Sequence, residues 1–218
     1  MAGTEGADVT MKIGIIGSGN VGGTLTRRLR GLGHDVTVAN SRGPESLAEL
    51  AGQTGATAGT VETATQGADL VVIAMPVAAV PRLKAEAFRG KVVVDANNYY
   101  PPRDGDIAEI ADMALTSSRW TAERLPGARV VKAFNTILAR HLGEYGRPEG
   151  DPNRIALPVA ADDYQAKQTV MSIVDELGFD PVDAGTLDES WRQQPNTPVY
   201  ITDRDIDGVR AGLASARP

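Results

Sequence analysis

The sequence has no cysteine in its 218 residues, and it is also poor in histidine and in aromatic side chains. The absence of cysteine excludes disulfide bonds, thiol catalysis and cysteine-ligated metal sites. The two histidines, His34 and His141, are too few for a His-rich zinc site, and we interpret both as structural or surface residues. No arrangement of serine, histidine and aspartate suggests nucleophilic catalysis.

Long runs of one residue type are missing as well. No window approaches about 18 uninterrupted apolar residues, so no membrane-spanning helix is predicted. The formal net charge is −6 and no long block of Lys and Arg occurs, so nucleic acid is not an expected partner. The stretch MAGTEGADVT has no basic region followed by an apolar core, which predicts a flexible extension over residues 1–10 and a cytoplasmic protein.

Apolar runs alternate with amphipathic stretches along the rest of the chain. The runs predict strands at 11–16, 34–39, 56–60, 68–75, 91–96, 128–134, 154–161 and 180–185. The stretches between them predict helices at 20–31, 44–55, 60–67, 77–88, 106–125 and 163–177. This alternation indicates an α/β fold with a doubly wound, mostly parallel sheet over residues 11–185, followed by a short C-terminal extension over 186–218. Ligands of such sheets bind at the carboxyl ends of the strands.

The stretch IGIIGSGNVGGTL carries the pattern G-x-G-x-x-G between a predicted strand and a predicted helix. Gly17 permits the sharp turn, Gly19 removes a side chain where a pyrophosphate would approach, and Gly22 lets the helix pack closely on the strand. The helix amino end offers unpaired N–H groups to an anion, and Ser18 adds a hydroxyl. The pattern therefore predicts a dinucleotide site of the Rossmann type; the alternative is a tight turn with packing glycines.

The residues after the second strand indicate which dinucleotide binds. An NAD site usually has Asp or Glu there to bind the ribose hydroxyls. This chain has Asn40, Ser41 and Arg42 instead. Arg42 would attract a 2′-phosphate and Ser41 would donate a hydrogen bond to it, which together favour NADP(H) over NAD(H) by about ten- to a hundredfold. The alternative interpretation of Arg42 is a solvated loop residue.

Several motifs taken together resemble a known family. The stretches IGIIGSGNVGGTL, VANSRGPESL, ADLVVIAMP, VVVDANNYY and VVKAFNTI are similar to those of the NADPH-dependent reductases of the deazaflavin coenzyme F420. The cytoplasmic domains of metal-reducing membrane oxidoreductases have similar patterns. The resemblance covers roughly residues 11–200 and implies a small Rossmann protein, often a homodimer, that passes a hydride between NADP(H) and F420 across the mouth of the sheet.

The resemblance also implies roles for particular positions. The residues implied to bind cofactor are Gly17, Ser18, Gly19, Asn20, Val21 and Gly22 at the pyrophosphate, Asn40, Ser41 and Arg42 around the 2′-phosphate, Met75 and Pro76 beside the nicotinamide ribose, and Asn97, Ala133, Phe134 and Asn135 around the nicotinamide and the acceptor ring. The chain departs from the family in two places. Residues 43–46 lack the additional basic residue that some members carry, and the tail after residue 185 also differs.

The acceptor side is less defined by the sequence. The loops 97–105 and 189–200 carry Tyr99, Tyr100, Trp191 and Tyr200, which suit the wall of a flat-ring site but equally suit a rigid connector and a packed tail. Lys132 and Arg192 are candidates to meet the acidic tail of F420, although exposed basic residues usually have no such role. Asp162, Asp163, Asp183 and Asp188 are scattered on loops, and no metal site is predicted.

Three functions remain open from the sequence. The leading one is an NADPH:F420 oxidoreductase, the second is an NADPH-dependent reductase of flavin or ferric iron, and the third is a non-catalytic NADP(H)-sensing module that binds a protein partner. Reduction of C=O or C=N bonds is not expected, because too little chain follows residue 185 for the helical domain that supplies the proton donor in such dehydrogenases. No catalytic acid or base is assigned.

Overall fold

The computed structural model describes residues 10–217, which fold around one sheet. In this part of the chain the strands are β1 Lys12–Ile16, β2 Asp35–Ala39, β3 Thr57–Gly59, β4 Leu70–Ile73, β5 Val92–Asp95, β6 Arg129–Lys132, β7 Ala156–Ala161 and β8 Asp180–Asp183. Of the predicted N-terminal extension, residues 1–9 lie outside the described residues.

The strand order is β3-β2-β1-β4-β5-β6-β7-β8, and every pairing is parallel except the antiparallel β6–β7 pair. The predicted doubly wound, mostly parallel α/β fold is therefore confirmed. The central strands β4 and β5 are buried at every residue, because helices cover both faces of the sheet. The order reverses between β1 and β4, so the crevice for a ligand lies outside the carboxyl ends of these two strands.

The helices of the described residues follow the predicted alternation. They are α1 Asn20–Gly31, α2 Ala48–Thr54, α3 Val61–Thr65, α4 Pro101–Asp104, α5 Ala108–Ala111, α6 Ser117–Arg124, α7 Ala139–Glu144, α8 Tyr164–Glu176 and α9 Ile206–Ser215. The predicted helix 163–177 corresponds to α8, whose buried stripe includes Ala166, Val170, Ile173 and Val174. None of these helices has the length and apolar character needed to cross a membrane.

Two predicted helices are wrong in kind. Residues 77–88 form two short 3₁₀ segments, Val77–Arg82 and Ala85–Phe88, because Pro81 lacks an N–H and clashes with the preceding turn. Residues 106–125 split into α5 and α6 at Met113, whose φ of 57° is incompatible with a continuous right-handed helix. Thr116 then caps α6, since its side chain accepts a hydrogen bond from the Arg119 N–H at 3.0 Å.

The sequence interpretation missed α4, which lies in the predicted loop 97–105, and also α7, α9 and the 3₁₀ segment Leu187–Gln193. Helix α9 packs on β7 and β8, where Val199, Val209 and Leu213 form a separate apolar cluster with strand residues. The C-terminal segment is thus part of the described core. The 3₁₀ segment before α9 packs on α6, β6 and β7, and residues 193–201 contact the turn after β6 through Gln193 and Ile201.

Candidate functional site

The three glycines of the loop after β1 occupy different environments. Gly17 has φ +112°, and a Cβ there would lie 2.0 Å from the carbonyl oxygen of Ala74. A Cβ at Gly22 would lie 1.9 Å from the Gly17 oxygen, so α1 packs directly against the turn. A Cβ at Gly19 would meet nothing within 4 Å, because this glycine faces open space. The loop therefore has two glycines that the backbone requires and one that keeps a surface clear.

The amino end of α1 faces the same open space. Gly19 is the N-cap, and no side chain accepts a hydrogen bond from the first turn of this helix. The first turn carries no acidic side chain either. The exposed N–H groups of Asn20 and Val21 and the positive end of the helix dipole suit a phosphate group.

Asn40 ties the loop after β2 to the glycine loop. Its Nδ2 donates to Ser18 Oγ at 3.0 Å, and its Oδ1 accepts from the Arg42 N–H at 2.9 Å. The Ser18 hydroxyl hydrogen is thereby left for another acceptor. This arrangement fixes the backbone of Ser41 and Arg42 while both side chains stay exposed to solvent.

A cavity of about 490 Å³ lies between these two loops and the segment after β4. We call it the arginine cavity, because Arg42 from the loop after β2 and Arg82 from the segment after β4 both line it; its other walls include Ser18, Ser41, Val61, Pro76 and Leu83. Neither arginine takes part in any ion pair found between residues 10 and 217. Two uncompensated cations beside apolar walls suit an anionic group attached to a flat ring.

Arg82 was missed in the sequence. The additional basic residue absent from 43–46 has a counterpart here, supplied by the segment after β4 rather than by the loop after β2. The sequence feature that could have identified Arg82 is its place in the segment after β4. Segments that follow neighbouring strands meet at the switch in strand order.

A second cavity, of about 480 Å³, lies on the other side of Met75 and Pro76. We call it the tyrosine cavity; its walls include Asn97, Asn98, Tyr100, Arg103, Phe134, Asn135, Tyr200 and Ile201. The structure thus brings together five predicted positions from three strand ends, Met75, Pro76, Asn97, Phe134 and Asn135. Ala133, also predicted, is fully buried beneath this wall and does not line the cavity.

Gly19 connects the cavities. It lines the arginine cavity, the tyrosine cavity and a third depression of about 710 Å³ on the outer side of α1, which Arg27 and Arg140 also line. One groove therefore passes over Gly19, with cationic side chains at one end and the tyrosine cavity at the other.

Asn97 is the polar group best placed in the tyrosine cavity. Its Oδ1 accepts from the Met75 N–H at 2.7 Å, which fixes the orientation of the amide. Its Nδ2 is buried and has no hydrogen-bond partner within the described chain. A buried unpartnered donor costs stability unless a ligand satisfies it, so this Nδ2 suits a carbonyl oxygen of a bound molecule.

A buried ion pair supports Asn97 from below. Lys132 and Asp95 are both fully buried, with Nζ 3.5 Å from Oδ2, and Lys132 also donates to the backbone oxygen of Asn97. Asp95 accepts from the Asn97 N–H at 3.1 Å and from Ser118 Oγ at 2.6 Å. Burial lowers the pKa of the Lys132 ammonium, and the Asp95 charge opposes that shift. The suggestion that Lys132 meets an acidic ligand is wrong, because its side chain is fully buried and pairs with Asp95.

The turn after β6 has an uncommon backbone. Phe134 has φ +61°, which is rare for a residue with a side chain and is found preferentially at functional sites. Asn135 stabilises this turn, since its Nδ2 donates to the Gln193 oxygen at 2.6 Å and its Oδ1 accepts from Gln193 Nε2 at 3.0 Å. Asn135 therefore holds the C-terminal segment against the site.

The aromatic residues proposed as an acceptor wall separate into two groups. Tyr100 and Tyr200 line the tyrosine cavity. Tyr99 instead accepts from the Ile107 N–H and donates to the Gly105 oxygen, which stiffens the loop. Trp191 lines a different depression, and the Arg192 guanidinium pairs with Glu189 at 2.9 Å.

The remaining titratable candidates have structural partners. His34 is buried, accepts from the Met11 N–H at 3.3 Å and lies 3.1 Å from Glu176, while His141 lies 2.5 Å from Asp203. Each of the four loop aspartates is engaged in an ion pair or a helix cap, namely Asp162 and Asp188 with Arg119, Asp183 with Lys167, and Asp163 as the cap of α8. In residues 10–217 no group of three or more acidic or His side chains could hold a metal ion.

Comparison with known proteins agrees with this geometry. Residues 12–99 match the family described as NADP oxidoreductase, coenzyme F420-dependent. The solved structure of the hypothetical protein SMa0349 from Sinorhizobium meliloti is 31% identical, with a TM-score of 0.77 over 89% of this chain and 95% of that one. The chain belongs to the NADP-dependent oxidoreductase family.

Two further proteins similar to this chain are described by different electron acceptors. A solved structure from Arthrobacter, described as a candidate F420-dependent NADP reductase, is 27% identical with a TM-score of 0.66, covering 81% of this chain and 86% of that one. The metalloreductase STEAP3 of Rattus norvegicus is 33% identical over 185 residues, which are 81% of this chain and 34% of the relative. The chain spans less than half the length of the curated relatives that it matches.

Proposed function

We propose that this oxidoreductase transfers a hydride between NADP(H) and the deazaflavin coenzyme F420. The observation that carries the proposal is the continuous groove over Gly19, which joins two unpaired arginines to a cavity holding the unpartnered Nδ2 of Asn97. The cationic end suits the 2′-phosphate of NADP(H), and the uncapped end of α1 suits its pyrophosphate. The nicotinamide then lies beside Met75 and Asn97, at the entrance of the tyrosine cavity.

The choice of F420 rests on the family matched by residues 12–99 and on the Arthrobacter structure. The cavity is consistent with a flat-ring acceptor, since it combines aromatic and amide side chains and has Arg103 at its exposed edge. Hydride transfer between two rings needs mainly alignment and exclusion of water, and the site supplies both through fixed backbone and buried amides.

A second candidate acceptor follows from the similarity to rat STEAP3. In that case the oxidoreductase would reduce a flavin or, through a flavin, ferric iron. The same groove would bind NADPH, and the acceptor alone would differ. We also expect a soluble cytoplasmic homodimer without nucleic-acid partners, and the C-terminal segment as part of the acceptor site.

The acceptor is tested with purified protein, NADPH and, separately, oxidised F420, FMN, riboflavin and a ferric chelate, each repeated with NADH. We expect rapid reduction of F420 with NADPH and much slower reduction with NADH. Turnover of a flavin or the chelate but not of F420 would favour the second candidate. Tight NADPH binding without turnover of any acceptor would contradict both and would favour the NADP(H)-sensing module.

Arg42 is expected to determine the preference for NADPH. Replacing Arg42 with Ala removes a charge-assisted contact of about 1.5–3 kcal/mol, so the Kd for NADPH should rise about ten- to a hundredfold. The Kd for NADH, which lacks the phosphate, should change less than about twofold. Titration of nicotinamide fluorescence measures both constants.

Two further variants refine that prediction. Arg82→Ala should also weaken NADPH binding more than NADH binding, because this side chain lines the same cavity as Arg42. Arg210→Ala is the matched control, since Arg210 pairs only with Asp207 on the remote helix α9. Equal losses of NADPH and NADH affinity in Arg42→Ala would refute the assigned 2′-phosphate contact.

A further inference from the structure

Two phenol groups meet inside the tyrosine cavity. The hydroxyls of Tyr100 and Tyr200 are hydrogen-bonded to each other, although the residues are 100 positions apart in the sequence. Both side chains are half-buried and line the cavity beside Asn97 and Phe134. Binding of NADP(H) and alignment of two rings require no hydroxyl at this point, so the pair needs a separate explanation.

The fold holds both tyrosines in place. The Tyr100 N–H donates to Asp104 Oδ2 at 2.9 Å, at the start of α4. The Tyr200 N–H donates to the Thr197 oxygen at 3.1 Å, and the following residue, Ile201, donates to the Thr136 oxygen at 2.8 Å. Ile201 has φ +54°, which is strained for a β-branched residue. The backbone of the C-terminal segment is therefore strained next to Tyr200, at the point where this side chain lines the cavity.

Each phenol has one hydrogen to donate, so one hydroxyl of the pair donates to the other and the second keeps its hydrogen for a ligand. Burial and the neighbouring Tyr100 hydroxyl raise the pKa of the Tyr200 phenol above its ordinary value, and either hydroxyl can be the donor within the pair. When Tyr200 donates to Tyr100, the Tyr100 O–H is left for a bound ligand.

A cationic side chain lies beside the Tyr100 ring. The Arg103 guanidinium carbon lies 5.1 Å from the centroid of the Tyr100 ring. Arg103 also pairs with Asp104 at 2.8 Å, and its side chain is 43% exposed, so it remains a nearby cation in contact with solvent. After Tyr100 gives up its proton, its oxygen can still accept the hydrogen bond from Tyr200.

We propose that Tyr100 is the proton donor to the electron acceptor and that Tyr200 is its positioning residue. The acceptor class is a conjugated heterocycle that takes a hydride on carbon and a proton on nitrogen or oxygen, and this inference rests on the proposed function. NADPH supplies the hydride, and its two electrons form the new C–H bond. The Tyr100 O–H bond breaks, its proton goes to the acceptor, and water returns a proton to the phenolate.

The test compares Tyr100→Phe, Tyr200→Phe and, as a matched control, Tyr164→Phe, whose ring is 70% exposed on α8. Steady-state rates with NADPH and the acceptor that the wild type reduces are measured against pH, together with the Kd for NADPH. We expect Tyr100→Phe to lower kcat about 100-fold or more while the Kd stays within about twofold. Tyr164→Phe should match the wild type.

The pH profile separates proton donation from a structural role. Wild-type kcat should fall at alkaline pH as Tyr100 loses its proton, and Tyr100→Phe should lack that fall. Tyr200→Phe should lower kcat about tenfold and move the fall to higher pH, because the phenolate of Tyr100 loses a hydrogen bond that stabilises it.

Three results would overturn the inference. The first is a Tyr100→Phe variant that turns over at the wild-type rate. The second is a decrease of kcat at alkaline pH that persists in Tyr100→Phe. The third applies if Tyr100→Phe fails to bind NADPH: the proposal is then overturned if kcat of Tyr200→Phe decreases at the same alkaline pH as kcat of the wild type. Absence of any acceptor turnover by the wild type is a different outcome, because it refutes the proposed function itself.

Discussion

Replacement of Gly22 with Ala is expected to abolish NADPH binding and to destabilise the fold. The added Cβ would lie 1.9 Å from the Gly17 oxygen and 3.3 Å from the Cβ of Ala74. Neither neighbour is a flexible side chain, so α1 must move away from β1 and the glycine loop must open. We expect a loss of about 3 kcal/mol or more in the free energy of unfolding, at or above the usual range for overpacking. Chemical denaturation and fluorescence titration measure the two effects.

Gly19→Ala is the matched comparison. A Cβ at Gly19 meets nothing within 4 Å, and its φ of −71° is accessible to alanine. The free energy of unfolding should therefore stay within about 0.5 kcal/mol of the wild type. The affinity for NADPH should still fall at least about tenfold, because the methyl group occupies the space needed by the pyrophosphate. Unchanged affinity in Gly19→Ala would show that the pyrophosphate lies elsewhere.

Lys132→Met is expected to have the largest effect on stability outside the glycine loop. The substitution leaves the Asp95 carboxylate buried without its cation, which typically costs about 3–5 kcal/mol. It also removes the hydrogen bond to the Asn97 oxygen, so Asn97 should lose its fixed orientation. The free energy of unfolding is measured by denaturant titration at neutral pH.

A double variant separates charge from packing. Asp95→Asn combined with Lys132→Met removes both charges and keeps an acceptor for Ser118. We expect the double variant to be more stable than Lys132→Met alone by about 1–3 kcal/mol. Strictly additive losses would contradict the account of Lys132 and Asp95 as one coupled unit.

The fold was predictable where periodicity and glycine signals coincide. The unit from β1 to β2 matches the prediction within one residue at each end, because a continuous apolar run and an amphipathic stretch flank the glycine loop. Sequence patterns predicted the helices poorly where single interrupting residues or contacts distant in sequence determine the structure. Pro81 and Met113 interrupt segments whose composition favours helices, and α9 is stabilised mainly by contacts with β7 and β8.

The candidate site divides in the same way. Positions directly after strands, such as Asn97 and Phe134, could be predicted to converge because parallel strands end at one edge of the sheet. The approach of Tyr200 to Tyr100 could not, because it depends on the path of the C-terminal segment after β8. The burial of Lys132 could have been suspected from its place in an apolar strand, but its partner Asp95 lies on a different strand.

The central claim is that hydride passes from NADPH to F420 within this groove. The most direct measurement is an anaerobic single turnover with NADPH deuterated at C4 and stoichiometric oxidised F420, followed by mass spectrometry of the reduced acceptor. The account predicts one deuterium on reduced F420 for one of the two C4 stereoisomers of the label, at a rate that Arg42→Ala lowers at limiting NADPH. Reduced F420 without deuterium from either stereoisomer, or no reduction of F420 by bound NADPH, would contradict it.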